Sequence, residues 1–146
     1  MTLRVVIDTN IWIRALLGGQ VSLPVLMALR AGKYHVVISD ALMDELREVV
    51  QRPRLKGRID PFDANELLEL LEWYGETVEL RTVPPRCRDP EDHPVLSTAI
   101  DGKANAIVTG DDDLRADDQL RTAMADYGIQ LWGVQSLLAA IANDRL

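Results

Sequence analysis

The sequence has little of the side-chain chemistry that disulfides and soft metal sites require. Its 146 residues include one cysteine, Cys87, and two histidines, His35 and His93. A lone cysteine cannot form an internal disulfide, and a zinc site made of Cys and His is implausible with so few ligands. Any metal ion would therefore have to be held by oxygen atoms.

Long apolar runs are also missing. No stretch approaches the roughly 20 apolar residues of a membrane-spanning helix, and the N-terminal region lacks the pattern of a secretory signal. We therefore expect a soluble, cytoplasmic protein. A length of 146 residues with 47% hydrophobic content suffices for one core but not for two ordinary domains. We predict a single domain spanning residues 1–146.

Positive charge is scarce as well. The formal net charge is -7, with 16 Lys and Arg against 23 Asp and Glu. This balance argues against broad, non-specific attraction to nucleic acid, which usually rests on Lys and Arg. The argument fails locally if several acids hold a divalent cation, because the ion neutralises part of their charge.

The chain does contain a regular alternation of short β-rich runs and longer helical patterns. The predicted strands are 5–7, 35–38, 77–80, 106–109 and 130–132, and the predicted helices are 11–17, 22–31, 40–51, 61–73, 93–101, 118–127 and 134–142. Such alternation predicts an α/β fold, with helices on both faces of a largely parallel sheet of about five strands.

Acidic residues follow two of the predicted strands. Asp8 comes directly after the run 5–7, and Asp111 follows the run 106–109 and Gly110. Ligand sites of open α/β sheets lie at the carboxyl ends of strands. Polar residues at a strand-to-helix turn also cap the following helix, which leaves a structural role open for Asp8. The helix dipole accounts for Asp112 and Asp113 at a helix start, whereas Asp111 lies nearest the strand end.

Helix phase separates two neighbouring acids in the segment 40–51. Glu45 lies on the flank of the apolar stripe, one turn before Val49, whereas Asp44 points nearly opposite that stripe. We expect Asp44 to be solvated. Glu45 is better placed to reach the sheet edge, although an ordinary border glutamate explains the same position.

Asp92 lies at the start of the predicted helix 93–101. Counting back from Val95 and Ala99 places it on the buried face of that helix. Because Pro94 disfavours helical geometry at the residue before it, Asp92 could lie just outside the helix. Spacing alone supports a helix cap and a metal ligand equally well.

These four acids would form a carboxylate cluster if their strands are neighbours. Like charges at close range raise each other's pKa values, so the cluster needs a divalent cation or a shared proton. Oxygen ligands select Mg²⁺ or Mn²⁺. Such an ion supports hydrolysis of phosphodiesters without a side-chain nucleophile.

The residues together resemble the PIN-domain family, in particular the VapC-like endoribonuclease toxins of toxin-antitoxin pairs. The matching segments are 6–10, 39–46, 88–92 with the helix that reaches Ala99, and 108–114. The chain departs from many relatives at His93-Pro94, where those relatives carry Asn or Asp after the third acid. The resemblance implies a three-layer α/β/α sandwich.

The resemblance also implies the site and the partners. The family's catalytic and metal-binding acids correspond to Asp8, Glu45, Asp92 and Asp111, with Asp113 as a less certain fifth ligand and Asn10 and Thr109 as supporting polar groups. The implied cofactor is Mg²⁺, or alternatively Mn²⁺. The implied partners are a single-stranded RNA substrate, a cognate antitoxin protein and a second copy of the chain in a homodimer.

A basic segment follows the helix that carries Glu45. Its cations are Arg52, Arg54, Lys56 and Arg58. They are candidate contacts for an RNA backbone or an acidic antitoxin segment, although a solvated loop is the favoured interpretation because short basic runs are common on protein surfaces. Among the tryptophans, Trp12 and Trp132 lie within apolar patterns and are predicted to be core, whereas Trp73 is left open.

Three functional hypotheses are consistent with these patterns. The leading one is a metal-dependent endoribonuclease. A magnesium-dependent aspartyl phosphotransferase would typically need an acid two residues after its nucleophile, and that position here is Asn10. A binding module that holds RNA or a protein without turnover is the third hypothesis, and the retained acids count against it.

Overall fold

The computed structural model describes residues 2–87 and 89–143. Its strands are β1 (Arg4–Ile7), β2 (His35–Ile38), β3 (Glu76–Thr77), β4 (Ala106–Val108) and β5 (Gln130–Trp132). Its helices are α1 (Thr9–Leu16), α2 (Leu23–Arg30), α3 (Asp40–Val50), α4 (Pro53–Lys56), α5 (Pro61–Tyr74), α6 (His93–Asp101), α7 (Asp112–Ala116), α8 (Asp118–Ala125) and α9 (Val134–Asn143), and a 3-10 turn covers Pro90–Asp92. Arg88, part of one segment that resembles the PIN family, lies outside the described residues.

The strands form one parallel sheet in the order β3-β2-β1-β4-β5. The predicted α/β architecture and the parallel sheet of about five strands are confirmed. The central strand β1 pairs with β2 on one side and with β4 on the other. Strands β2 and β3 therefore lie on one side of β1, and β4 and β5 lie on the other. The carboxyl ends of β1 and β4 flank the crevice at this switch point, where such sheets bind ligands.

Alternate residues of the central strands pack into different helical layers. Val5 and Ile7 of β1 belong to the core beneath α1, α2, α5 and α9. Val6 and Ile107 belong to the core beneath α6 and α8. Because side chains alternate across a strand and both faces are covered, the strand sequences are continuously apolar. The result is the expected sandwich of helices, sheet and helices.

Three short elements differ from the sequence predictions. Residues 77–80 were expected to form a strand, but β3 pairs only over Val37–Ile38 of β2, and β2 ends at Ile38. The basic segment is not a continuous loop, because Pro53 begins the short helix α4 at a position that tolerates proline. Helix α7 was not predicted. Its start is stabilised by a side-chain cap rather than by a long apolar pattern.

The tryptophans confirm one prediction fully and one in part. Trp12 is only 3% exposed and lies in the core, as predicted. Trp132 is half-buried on the edge strand β5, where it packs against the core. Trp73 is 83% exposed at the end of α5.

In the described part of the chain, no helix has both the length and the apolar character needed to cross a membrane.

Candidate active site

Asp8 lies at the carboxyl end of β1 and directly precedes α1. Its side chain is buried, and its Oδ2 accepts a hydrogen bond of 2.8 Å from the Thr109 hydroxyl beyond the end of β4. The Asp8 backbone N–H also donates to the Val108 carbonyl, at 2.9 Å. These bonds hold Asp8 at the crevice between β1 and β4.

Burial raises the pKa of Asp8, and repulsion from Asp111 adds to the rise. The Thr109 hydroxyl and the nearby amides of Asn10 and Thr9 act in the opposite direction, because they favour the charged carboxylate. Those amides do not form a well-directed capping bond with the Asp8 side chain. Asn10, predicted as a supporting residue, is itself exposed.

Glu45 approaches the same crevice from α3. Its Oε2 accepts a hydrogen bond of 3.2 Å from the hydroxyl of Thr9, the residue after Asp8. Burial is the main cause of a raised Glu45 pKa, with further contributions from repulsion by Asp8 and Glu91. Helix phase therefore placed Glu45 correctly.

Asp44, one position earlier on α3, lies away from these groups. Its side chain is 76% exposed, and it forms an ion pair with Arg47 at 3.2 Å. The prediction that Asp44 is solvated is confirmed. The contrast between the two neighbours provides a matched control for Glu45.

Asp92 ends the 3-10 turn and directly precedes α6. Partial burial raises its pKa to about 6, and repulsion from Asp8, Asp89, Asp111 and Glu45 contributes to this rise. Asp92 is therefore within electrostatic range of the other three predicted acids. The fold brings together carboxylates from four separate segments of the chain.

Asp111 differs from the other three acids because it caps a helix. Its Oδ1 accepts hydrogen bonds from the backbone amides of Asp113, at 2.9 Å, and Leu114, at 3.3 Å. Its own amide donates to the Thr109 hydroxyl at 3.1 Å. Asp111 therefore caps α7, a role that was not predicted, and also lies close enough to Asp8 and Asp92 to raise the pKa of each. The side chain of Asp113 is exposed at the start of α7.

Capping geometry separates two groups of aspartates that the sequence could not distinguish. Those whose carboxylates accept a backbone amide at the start of a helix or 3-10 turn are Asp60, Asp89, Asp111 and Asp117. Asp8 has the same extended backbone and Asp92 has a helical one, and neither side chain makes such a bond with the described residues of the helix that follows. Helix capping therefore does not account for these two carboxylates.

The donor chemistry of the cluster fits a hard divalent cation, because the groups that converge are carboxylates and hydroxyls. Burial is the main cause of the raised pKa values of Asp8, Glu45 and Asp92, and mutual repulsion adds to it. A cation would relieve that repulsion. Within residues 2–87 and 89–143, the side chains do not already converge three at a time on one ion position.

Polar contacts between helices position the segments that carry the acids. Ser39 caps α3, and its hydroxyl lies 2.8 Å from the hydroxyl of Thr98 on α6. Both side chains are buried, so this bond links the helix of Glu45 to the helix that follows Asp92. The contacts of Ser39 with Thr98 and of Thr9 with Glu45 were not predicted. Only the strand-Ser-helix pattern at Ser39 indicated a cap.

The basic segment approaches the acidic cluster through its first cation, Arg52. Its four cations are exposed. Arg52 binds Glu48 through Nε at 3.1 Å and Nη2 at 2.9 Å. Arg52 is also close enough to Glu45 to lower the pKa of that carboxyl. Its position leaves the predicted contact with RNA or with an antitoxin as a proposal.

Comparison with known proteins agrees with this arrangement. The profile of the family described as PIN domain matches residues 4–113, which include all four acids. The chain belongs to the PIN-domain family. PIN domains are generally nucleases, and the resemblance seen in the sequence is confirmed at this level. No curated protein sequence matches the chain.

A solved structure shows the same fold. The chain is similar to a chain in the crystal structure of VapBC2 from Rickettsia felis bound to a DNA fragment from their promoter. The TM-score is 0.58 at 16% sequence identity, and the match covers 90% of this chain and 98% of the other. At this identity, the likeness supports the fold.

Proposed function

We propose that this protein is a divalent-metal-dependent endoribonuclease that hydrolyses phosphodiester bonds of single-stranded RNA. The observation that carries the proposal is the cluster of Asp8, Glu45 and Asp92 near Asp111, at the crevice between β1 and β4. Two of these carboxylates, those of Asp8 and Asp92, occupy capping positions without capping a helix. Burial and repulsion raise the pKa values of both carboxyls, and a cation would stabilise their charged form.

In this proposal Asp8, Glu45 and Asp92 hold Mg²⁺ or Mn²⁺, with Asp111 and Asp113 as further candidate ligands. The ion would supply Lewis-acid chemistry at a phosphodiester. Thr109 positions Asp8 through the bond of 2.8 Å, and Thr9 positions Glu45 through the bond of 3.2 Å. Hydrogen bonds of this kind orient metal-binding carboxylates and favour their charged form.

We further propose that the protein is the toxin of a toxin-antitoxin pair. The likeness in fold to a chain of the VapBC2 structure and membership of the PIN family support this role. A cognate antitoxin, a homodimeric state and a cytoplasmic location are parts of the same proposal. The exposed cations Arg52, Arg54, Lys56 and Arg58 are candidate contacts for RNA or for the antitoxin.

The decisive experiment measures cleavage of a labelled single-stranded RNA by the purified full chain. Wild type should cleave in Mg²⁺ or Mn²⁺ and stop in excess EDTA, whereas Asp8→Asn should remain folded and inactive in both. Full cleavage in EDTA would contradict the metal mechanism. Wild-type activity in Asp8→Asn would remove that residue from the active site.

Growth measurements separate the nuclease from a binding module. Overexpressed wild type should slow growth, and equal amounts of Asp8→Asn should not, because the substitution removes a metal-binding carboxylate but leaves the surface unchanged. Equal toxicity of the two proteins would favour a role in binding without turnover. A small DNA-binding antitoxin encoded in the neighbouring reading frame would support the toxin role.

A further inference from the structure

A second feature of the crevice is a cavity of about 650 Å³ beside the carboxylate cluster. Its walls come from α1 and the segment after it, from the end of β4, from α7 and from the start of α9. Thr109 and Gly110 belong to the wall that the cavity shares with the acids. The cavity also contains two arginines, Arg14 and Arg115.

Arg14 reaches the cavity from α1, six residues after Asp8. Its guanidinium lies against Gly110, where an added Cβ would be 2.5 Å from Arg14 Nη1. Its side chain has no hydrogen-bond or ion-pair partner among residues 2–87 and 89–143. An arginine without a partner beside an acidic cluster is available to an anionic ligand.

Arg115 faces the same cavity from α7. Its Nη2 forms an ion pair with Asp112, and its guanidinium lies against Gly133, where an added Cβ would overlap Nη1. The Nε of Arg115 is buried and has no acceptor in the described part of the chain. A buried N–H without an acceptor is unfavourable, so the ion pair with Asp112 does not use the full hydrogen-bonding capacity of Arg115.

We propose that Arg14 and Arg115 form a phosphate-binding subsite, which holds the phosphodiester of a nucleotide next to the bond that is cleaved. The identity of the ligand as RNA rests on the proposed function. Planar guanidinium groups bind phosphate oxygens through paired N–H donors. The glycines at 110 and 133 leave the space that the two guanidinium groups occupy.

The position of the cavity favours RNA over an acidic peptide. A single strand that passes the carboxylate cluster carries a phosphate at every nucleotide, so its neighbouring phosphate must be accommodated close by. The cavity shares Thr109 with the site of Asp8. In a chain of net charge -7, two arginines at this point offset the repulsion that the acids exert on the RNA backbone.

The test measures binding of a labelled oligouridylate over a range of salt concentrations. Arg14→Gln and Arg115→Gln are each made in the full chain that also carries Asp8→Asn, in EDTA, so that RNA is not consumed. Each lost phosphate contact should weaken binding and reduce the slope of log affinity against log salt by about 0.7. Arg14→Lys and Arg115→Lys should restore most of that slope, because they retain the charge.

Arg121→Gln is the matched control. Arg121 pairs with Asp118 three residues earlier, as Arg115 pairs with Asp112, but it does not line this cavity. Its affinity and salt slope should equal those of the parent protein. An unchanged slope in both Arg14→Gln and Arg115→Gln would overturn the subsite. Polyglutamate serves as a model of an acidic peptide, and variants that lose binding to polyglutamate but not to the oligouridylate would also overturn it.

Cleavage assays with Asp8 restored distinguish this proposal from the nuclease proposal. Arg14→Gln and Arg115→Gln should raise KM for RNA while Arg121→Gln leaves it unchanged. A wild type that cleaves, with normal KM and salt slope in both arginine variants, would overturn the subsite alone. A wild type that does not cleave but whose RNA binding depends on both arginines would overturn the nuclease and support the subsite.

Discussion

Thr109 donates a hydrogen bond from its Oγ1 to Oδ2 of Asp8, over 2.8 Å, and so connects the ends of β4 and β1. Both side chains are buried. The same hydroxyl accepts the backbone amide of Asp111 at 3.1 Å. One small side chain therefore organises both strand-end acids of the cluster.

Thr109→Val should impair both stability and cleavage. The variant keeps the shape of the side chain but removes the hydrogen bond to Asp8, so the free energy of unfolding should fall by about 1.5–3 kcal/mol, the range for bonds to charged groups. Because that bond lowers the pKa of Asp8, the acidic limb of the pH–rate profile should move to higher pH. Chemical denaturation and initial rates measure the two effects.

Thr109→Ser should restore the acidic limb, because it restores the hydroxyl. Thr122→Val is the control, since the exposed Thr122 hydroxyl donates to the Asp118 carbonyl, within its own helix. If Thr109→Val retained the wild-type pH–rate profile, its hydroxyl would have no role in positioning Asp8.

Substitutions at two adjacent acids of α3 should have opposite outcomes. Glu45→Gln should reduce the cleavage rate by at least about 100-fold. Substitution of a residue that only hydrogen-bonds to a metal ligand already lowers activity by up to that factor. Asp44→Asn should leave the rate unchanged and alter stability by no more than about 0.5 kcal/mol, as expected of a surface site. Rates under identical Mg²⁺ concentrations provide the comparison. A large loss in Asp44→Asn would mean that the helix phase is wrong.

Asp92→Asn should stabilise the metal-free protein at neutral pH while abolishing cleavage. The pKa of Asp92 is raised to about 6 in the folded chain, against about 3.9 in an unfolded one. Its contribution to stability is therefore complete below about pH 4 and is lost as pH rises through about 6. The variant lacks this loss, so its melting temperature should exceed that of wild type at pH 7.5, and the advantage should shrink towards pH 4.

The expected increase is no more than a few degrees, because solvent screens a partly exposed carboxyl. Melting curves in EDTA at pH 4, 6 and 7.5 measure it. Asp118→Asn is the control, since Asp118 is 92% exposed and pairs with Arg121. A pH-independent difference between Asp92→Asn and wild type would show that the titration of Asp92 is not its cause.

Divalent ions should stabilise wild type through the carboxylate cluster. A ligand that binds only the folded state adds about 2.7 kcal/mol at a concentration 100 times its Kd. Mg²⁺ and Mn²⁺ should therefore raise the melting temperature of wild type. Asp8→Asn should lose most of this shift, and Asp44→Asn should retain it. An equal shift in all three proteins would place ion binding elsewhere.

Much of the sheet could be predicted because its strands are covered on both faces. Burial of β1 and β4 between two helical layers requires continuous apolar runs, which are visible without a structure. Helix α6 was predicted with its observed bounds, His93–Asp101. The errors fell on β3, α4 and α7, because these short elements depend on the length of a neighbouring strand or on a cap, and not on periodicity.

The candidate site was predictable to a different extent for each residue. Helix periodicity distinguished Glu45 from Asp44, since both lie on one regular helix. It could not determine whether Asp8 and Asp92 cap their helices, because an aspartate that caps a helix and one that does not can stand at the same position in the sequence. Arg14 and Arg115 received no functional interpretation, since nothing local indicates that the two meet in one cavity.

The sequence by itself determined the apolar runs, the helix phases and the set of acids available at strand ends and helix starts. These are local properties, which follow from side-chain type and spacing. Only the tertiary structure decided that β1 and β4 are neighbours and that Thr109 binds Asp8, 101 positions away. The reason is physical: strand order and hydrogen bonds between distant segments depend on how the whole chain packs, and no local pattern encodes them.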